Sequence, residues 1–298
     1  MKALLTGGSG FIGSHLTDRL LKDGHEVIII DRNVKGNNLA PHPKLTVQTA
    51  DIMDHIGHYF SGIDVVFHMA ALTRPQWSIE HPRETDLINV NGTVKILDHC
   101  RENKVKRIVF MSSSNLYGEQ DIYPTPETAI PNPMNAYALS KQIGEQYCRL
   151  FEKLYGLEWN AIRPFNVYGT RMPLSGIYTS AVATFIDDLK NNLPLQMFGD
   201  GTQRRDFIYI DDVVDQLILM ADSQVHGEAF NCGSGINTSI NELYEMICKI
   251  MGKKVEPNRN PKQFEPSQTL ADISKAEKLL GWKPKIGLEE GLRRTING

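Results

Sequence analysis

Along the first 170 residues, short solid apolar runs alternate with longer stretches that are apolar on one side only. The run Lys2–Thr6 is mainly apolar and leads into glycines. Residues 11–21 follow, with Phe11, Ile12, Leu16, Leu20 and Leu21 near helical spacing. Further short apolar runs stand at 27–30, 45–47, 64–67, 107–111 and 159–162. Mixed segments such as 84–103 and 135–155 separate several of them. Solid apolar strands alternating with helices fit parallel strands covered on both faces, so the pattern predicts an α/β fold with a doubly wound parallel sheet. It leaves the strand order open. After Gly169 the rhythm loosens, punctuated by Pro173, Pro194, Pro257, Pro261, Pro266 and Pro284, and residues 253–268 are polar. The main domain is therefore expected over 1–170, with segments near 196–232 returning to it. A smaller C-terminal substrate-binding lobe is expected over 171–298. No internal repeat breaks this picture.

Composition narrows the class. A length of 298 residues suits one large α/β domain with a smaller lobe. With 41% apolar and 22% charged residues the chain is globular in composition, which excludes a wholly disordered protein. The net charge is −3 and no run of like charges supplies a nucleic-acid or anionic-membrane footprint. Four cysteines, Cys100, Cys148, Cys232 and Cys248, lie far apart without CxxC spacing. They encode neither a disulfide framework nor a zinc site and read as buried thiols in a reducing compartment. The apolar run Ala3-Leu4-Leu5 stops at Thr6-Gly7, short of the ~7–15 residues of a secretory signal. No stretch approaches the ~18–20 residues of a membrane span. A soluble, cytoplasmic protein is expected. Of the nine histidines, His55 and His58 sit three apart but lack a third ligand, so no metal site is expected.

The first chemical signal follows the first strand. Thr6-Gly7-Gly8-Ser9-Gly10-Phe11-Ile12-Gly13 contains Gly8-x-Gly10-x-x-Gly13 and, overlapping it, Gly7-x-x-Gly10-x-x-Gly13. Glycines there allow positive φ and let the backbone approach a pyrophosphate, and the next helix offers free N–H groups and its positive dipole end. Glycines alone also make plain turns. Here a strand precedes and a helix follows, and the second strand ends in Asp31, 18 residues past Gly13. That carboxylate is placed to accept hydrogen bonds from the adenosine ribose and to repel a 2′-phosphate, which favours NAD over NADP. The sheet is then of Rossmann type.

A second signal is Tyr137-Ala-Leu-Ser-Lys141, a phenol and an ammonium on one face if 135–155 is helical. To act as a base near pH 7 the phenol needs its pKa lowered by ~3 units, about 4 kcal/mol. A neighbouring cation is the kind of charge that favours the phenolate. Alone, this spacing arises often by chance. Ser112-Ser113-Ser114-Asn115 follows the strand 107–111, at the end of a doubly wound sheet where ligands bind. A hydroxyl there can donate and accept, and so can steer a substrate hydroxyl toward the tyrosine. Glycine loop, strand-end serine and Tyr-x-x-x-Lys, in this order, are jointly specific.

With these motifs the chain resembles the extended short-chain dehydrogenases/reductases, and within them the NAD-dependent epimerase/dehydratase family acting on nucleotide-sugars. The likeness also runs through Asp51-Ile52, His68-Met-Ala-Ala71, Asn89-Val-Asn-Gly-Thr93, Arg163-Pro-Phe-Asn-Val-Tyr-Gly169, Gly199-Asp-Gly-Thr-Gln-Arg-Arg-Asp-Phe207 and Ala271-Asp-Ile-Ser-Lys-Ala276. It implies NAD held by Gly7, Gly10, Phe11, Ile12, Gly13, Asp31, Asp51, Ile52, Ala70, Ala71, Asn89, Tyr137, Lys141 and Pro164. It implies catalysis by Ser113, Tyr137 and Lys141, and contacts to the nucleotide-sugar from Ser114, Asn166 and Arg205. The family's diphosphate-binding arginine maps onto Lys262, in Lys262-Gln263-Phe264-Glu265. Lysine keeps the charge there but loses the bidentate fork. Where 4-epimerases carry a lysine near the cofactor this chain has Thr73.

Subfamily follows from the residues after Ser113. The family's 4,6-dehydratases carry an Asp-Glu pair there, and the decarboxylating branch keeps the glutamate. This chain has Ser114 and Asn115. The resemblance then implies a 4-epimerase of the UDP-glucose/UDP-galactose type, oxidising C4 of the sugar and reducing it again, and working as a homodimer. Two alternatives stay open: a reductase of nucleotide 4-keto-6-deoxy-sugars, and a dinucleotide-binding sensor without turnover. The sensor would need only the glycine loop, not Ser113, Tyr137 and Lys141.

Overall fold

The alternation of solid apolar runs resolves into strands whose two faces feed two separate cores. The computed structural model describes residues 1–34, 39–173, 180–262 and 264–298. Its strands are β1 (Lys2–Thr6), β2 (Glu26–Asp31), β3 (Leu45–Thr49), β4 (Val65–His68), β5 (Arg107–Met111), β6 (Glu158–Pro164), β7 (Asn166–Tyr168), β8 (Gln196–Phe198), β9 (Arg204–Tyr209), β10 (Glu228–Cys232), β11 (Asn237–Ser239) and β12 (Asn258–Asn260). Its helices are α1 (Phe11–Lys22), α2 (Pro75–Glu80), α3 (Pro82–Asp86), α4 (Gly92–Glu102), α5 (Ala136–Tyr155), α6 (Ala181–Lys190), α7 (Ile210–Asp222), α8 (Ile240–Met251), α9 (Ser274–Leu280) and α10 (Leu288–Asn297). Seven strands form one sheet in the order β10-β6-β5-β4-β1-β2-β3, with every neighbouring pair parallel.

Side chains alternate across it. Ala3, Leu5, Ile29, Val65, Phe67, Val109 and Met111 join one core with α1 and α7, while Leu4, Ile30, Val66, Ile108 and Phe110 join the other with α4 and α5. Burial on both faces explains why these strands show no alternation of apolar with polar residues. Each fully buried aliphatic side chain contributes roughly 1.5–3 kcal/mol, so the central strands are the best-held part of the chain. The edge strand β3 is largely exposed and correspondingly polar.

The chain beyond residue 170 divides between this sheet and smaller ones. Of the segments near 196–232, β10 enters the large sheet beside β6. β9 lies instead between β7 and β11, and β8 pairs with β12. One buried carboxylate ties several of these parts together: Asp206 accepts from Ser234 N and Oγ (2.6 and 2.7 Å), Gly235 N (3.0 Å) and Ala271 N (3.1 Å). The segment 84–103 is helical through Glu102, with a wider helical turn over Leu87–Asn91 between α3 and α4. Among the described residues no helix is long and apolar enough to cross a membrane.

Candidate active site

Strand ends β1, β2, β4, β5 and β6 open into one cavity of about 520 Å³. At its base the chain turns from β1 into α1 through the glycines. Gly7 has φ of +73°, and a Cβ there would stand 2.8 Å from Ala70 N, so glycine is what lets the loops after β1 and β4 touch. A Cβ on Gly13 would press on the backbone of Gly7 and Gly8, which requires glycine at the first turn of α1. Gly7, Gly10, Phe11, Ile12 and Gly13 all line the cavity, where α1 presents its free N–H groups. Asp31, at the end of β2, lines it as well. Its carboxylate accepts from Ser9 N and Asn33 N, both at 3.0 Å, which fixes it beside the glycine loop.

Asp51, Ile52, Ala70, Ala71 and Pro164 line the cavity too, as do Thr73 and Asn115. Beneath lies His68, fully buried between Thr6 Oγ1 (2.7 Å) and Thr93 Oγ1 (3.0 Å). Burial, and then the Lys141 charge, push its pKa down to about 3, so it is a neutral strut and not a proton carrier.

Tyr137 and Lys141 stand one turn apart on α5, which starts where Asn135 accepts from Ala138 N (2.9 Å). Ser78 of α2 accepts from Tyr137 N (3.1 Å), docking a second helix on the same turn. Ser113 lies just past β5, accepts from Asn115 N (3.2 Å) and stands close enough to the Tyr137 hydroxyl to act on its titration. All three line the cavity, each less than one-tenth exposed. Burial raises the Tyr137 pKa, with Ser113 opposing. Burial also lowers Lys141 to about 7, and its Nζ donates to Met111 O (2.7 Å). In the protein alone, desolvation of both groups favours their neutral forms.

Other expected residues lie outside the cavity lining. Asn89 is buried and turned inward, bonding Leu72 N (2.8 Å), Leu72 O (3.1 Å) and Ser140 Oγ (3.0 Å). It shapes the wall through Leu72. Ser114 is not part of the lining, whereas Asn115 beside it is. Asn166 donates to Asp206 O (2.9 Å) from between the cavity-lining Phe165 and Val167. Arg205 is buried and donates to Arg204 O (2.8 Å), with Nη2 3.0 Å from Glu265 but not aligned for a hydrogen bond. Lys262 is exposed beside Gly199, and Gln263 lies outside the described residues. Phe165, Val167 and Leu72 were not singled out from the sequence, because apolar residues at strand ends carry no chemical signature. Among the described residues no group of three His, Cys, Asp or Glu could hold a metal.

The size of the cavity, the close-set glycine cradle and the fixed Asp31 all fit a dinucleotide. The sequence pattern of the NAD dependent epimerase/dehydratase family matches residues 3–233. The chain is 40% identical, over 99% of its length and 97% of the relative's, to a Methanocaldococcus jannaschii protein provisionally assigned as a UDP-glucose 4-epimerase. It is similar to the UDP-glucose 4-epimerase of Thermotoga maritima solved with UDP-glucose, with a TM-score of 0.96 at 34% identity, covering 100% and 98% of the two chains. It is also similar to the UDP-glucuronic acid 4-epimerase of Bacillus cereus, solved with UDP-glucuronic acid and NAD, with a TM-score of 0.93 at 32% identity over 100% and 98%. The protein belongs to the NAD-dependent epimerase/dehydratase family and is an enzyme that uses NAD.

Proposed function

We propose that the protein inverts C4 of a nucleotide-sugar, of the UDP-glucose/UDP-galactose type. The observation that carries this reading is the convergence of Ser113, Tyr137 and Lys141 on the cavity that the glycine loop also lines, with Ser114 and Asn115 where an eliminating enzyme needs an acid and a base. Bound NAD supplies a hydride acceptor for C4 and then a donor for the opposite face of the 4-keto sugar. Tyr137 takes the proton from the C4 hydroxyl and returns it. Ser113 holds that oxygen against the phenol. Lys141, one turn from Tyr137 and fixed by Met111 O, lies where the positive charge of a bound oxidised dinucleotide would offset the burial that drives Tyr137 toward its neutral form, and so favour the phenolate.

In this reading residues 1–170, together with β10, hold the cofactor, and most of 171–298 holds the nucleotide-sugar. Arg205, Asn166 and Lys262 anchor the diphosphate, once Arg205 exchanges Glu265 for phosphate oxygens. Ser114 would reach the sugar only through a shift of its turn. Two further expectations belong here. A homodimer is supported by Leu139, Ile143, Leu150 and Leu154, an incompletely buried apolar stripe at helical spacing on α5. Four free buried cysteines support a reducing compartment, the cytoplasm.

The test is to incubate the purified protein with UDP-glucose, UDP-N-acetylglucosamine and UDP-glucuronate without added cofactor, and to follow C4 by NMR. Inversion with deuterium retained at C4 is expected for UDP-glucose. Turnover that demands stoichiometric NAD(P)H on a 4-keto-6-deoxy-sugar would give the reductase reading instead.

A further inference from the structure

Behind the cavity lies a buried polar cluster that the proposed chemistry does not use. Glu145 sits one turn beyond Lys141 on α5 and is 4% exposed. Its Oε1 accepts from Ser112 Oγ (2.5 Å) and Arg163 Nε (2.9 Å), and its Oε2 from Arg163 Nη2 (2.6 Å). Arg163, on β6, sends Nη1 to Tyr117 OH (2.7 Å) and to Glu127 O (3.1 Å). Tyr117 OH in turn donates to Asn231 Oδ1 of β10 (2.7 Å). One carboxylate thus joins the helix of Tyr137 and Lys141 to the ends of β5 and β6, and through Arg163 to β10.

Packing alone does not call for this arrangement. A buried ion pair against apolar neighbours is often no more stabilising than apolar side chains of the same volume, and what it adds is a fixed geometry. The geometry fixed here is that of the reacting groups. Ser112 is bonded to Ser113, and Arg163 to the cavity-lining Pro164. Ser113 must meet Tyr137 across the gap between β5 and α5. That gap is bridged on one side by Lys141 to Met111 O and on the other by Ser112 to Glu145. We infer that Glu145 is a positioning residue, whose bidentate grip on Arg163 and bond to Ser112 set the Tyr137–Ser113 distance. The inference rests on the epimerase reading for its kinetic effect, though not for the geometry itself.

Two variants test it in the NAD-loaded enzyme. Glu145→Gln keeps the shape but turns a donor toward Arg163. Ser112→Ala removes the bridge and leaves the ion pair intact, so it serves if the first variant fails to fold. A misplacement of about 1 Å at reacting groups costs up to ~10²-fold in rate. Each variant should lower kcat, Glu145→Gln by at least ~10-fold and Ser112→Ala by ~3-fold or more, with KM and bound NAD within about twofold of the parent. The isotope effect with C4-deuterated substrate should rise, because chemistry becomes slower; a merely smaller active fraction would leave it unchanged. The ring resonance of labelled tyrosine, assigned to Tyr137 with a Tyr137→Phe blank, should move in both variants. That readout holds even if the parent inverts none of the sugars tested, which separates failure of the inference from failure of the epimerase reading. An unmoved Tyr137 resonance in a folded variant, or an unchanged kcat and isotope effect in an active one, overturns it.

Discussion

The two ends of the site are built by different means. At the sheet end, Ser113, Tyr137 and Lys141 are buried and held by strand ends, by α5 and by hydrogen bonds already made. At the other end, Arg205 is paired with Glu265, Asn166 is spent on Asp206 O, and Lys262 is exposed. Groups for bond chemistry are set in advance, where error is most costly. On the proposed reading, Arg205 and Asn166, which would hold the ligand, are engaged with other protein groups. On that reading, the contrast assigns reaction class to the sheet and choice of nucleotide-sugar to the loops around Arg205 and Lys262.

The sharpest way to break this contrast is at the sheet end. Tyr137→Phe should lower kcat by at least ~10²-fold while NAD stays bound, measured by turnover and by cofactor content after gel filtration. Near-normal turnover would remove the phenol from the chemistry. Next is the cofactor's far end. NAD should bind at least ~10-fold more tightly than NADP, about 1.4 kcal/mol, because a 2′-phosphate would face Asp31. Asp31→Asn should narrow that ratio, and equal calorimetric affinities in the parent would show that Arg32, the next residue and also part of the cavity lining, offsets it.

At the other end smaller effects are expected, and mainly in KM. Arg205→Ala should raise KM by about 3–10-fold, the size of a lost charge-assisted contact, and let reduced cofactor accumulate as keto sugar escapes. Glu265→Gln should lower KM by about twofold or less, since the anchor no longer leaves an ion pair to reach phosphate. A rise in KM would make Glu265 a support for Arg205 instead of its competitor.

The smallest effect concerns stability and returns to Lys141. Burial holds its pKa at about 7, below the ordinary 10.5. Between those values the unfolded chain binds more protons than the folded one, so stability rises with pH across that window. Below pH 7 the full cost of burying the charge is present. Lys141→Met should therefore raise the Tm of the NAD-stripped protein by a few degrees at pH 6–7, fading toward pH 10, while turnover is lost. A lower Tm would mean that the bond to Met111 O outweighs desolvation.

Much of this molecule follows from the order of residues alone. Solid apolar runs demanded strands buried on both faces, the glycines with Asp31 demanded a dinucleotide loop, and Tyr137 with Lys141 demanded a shared helix face. Such features are local: each depends on spacing within some twenty residues, where backbone geometry fixes what neighbours can do. The wider turn between α3 and α4, the entry of β10 beside β6, and the inward turn of Asn89 were not legible, because each is decided by partners distant in sequence. The same holds for the charge states. Sequence adjacency suggests that a lysine cation assists the tyrosine, whereas burial from several elements at once drives both toward neutrality. Helical period puts Glu145 one turn past Lys141. Only the fold brings Arg163 from β6 and Ser112 from β5 onto the same carboxylate, since a buried charge gains its meaning from the groups that desolvate and pair it.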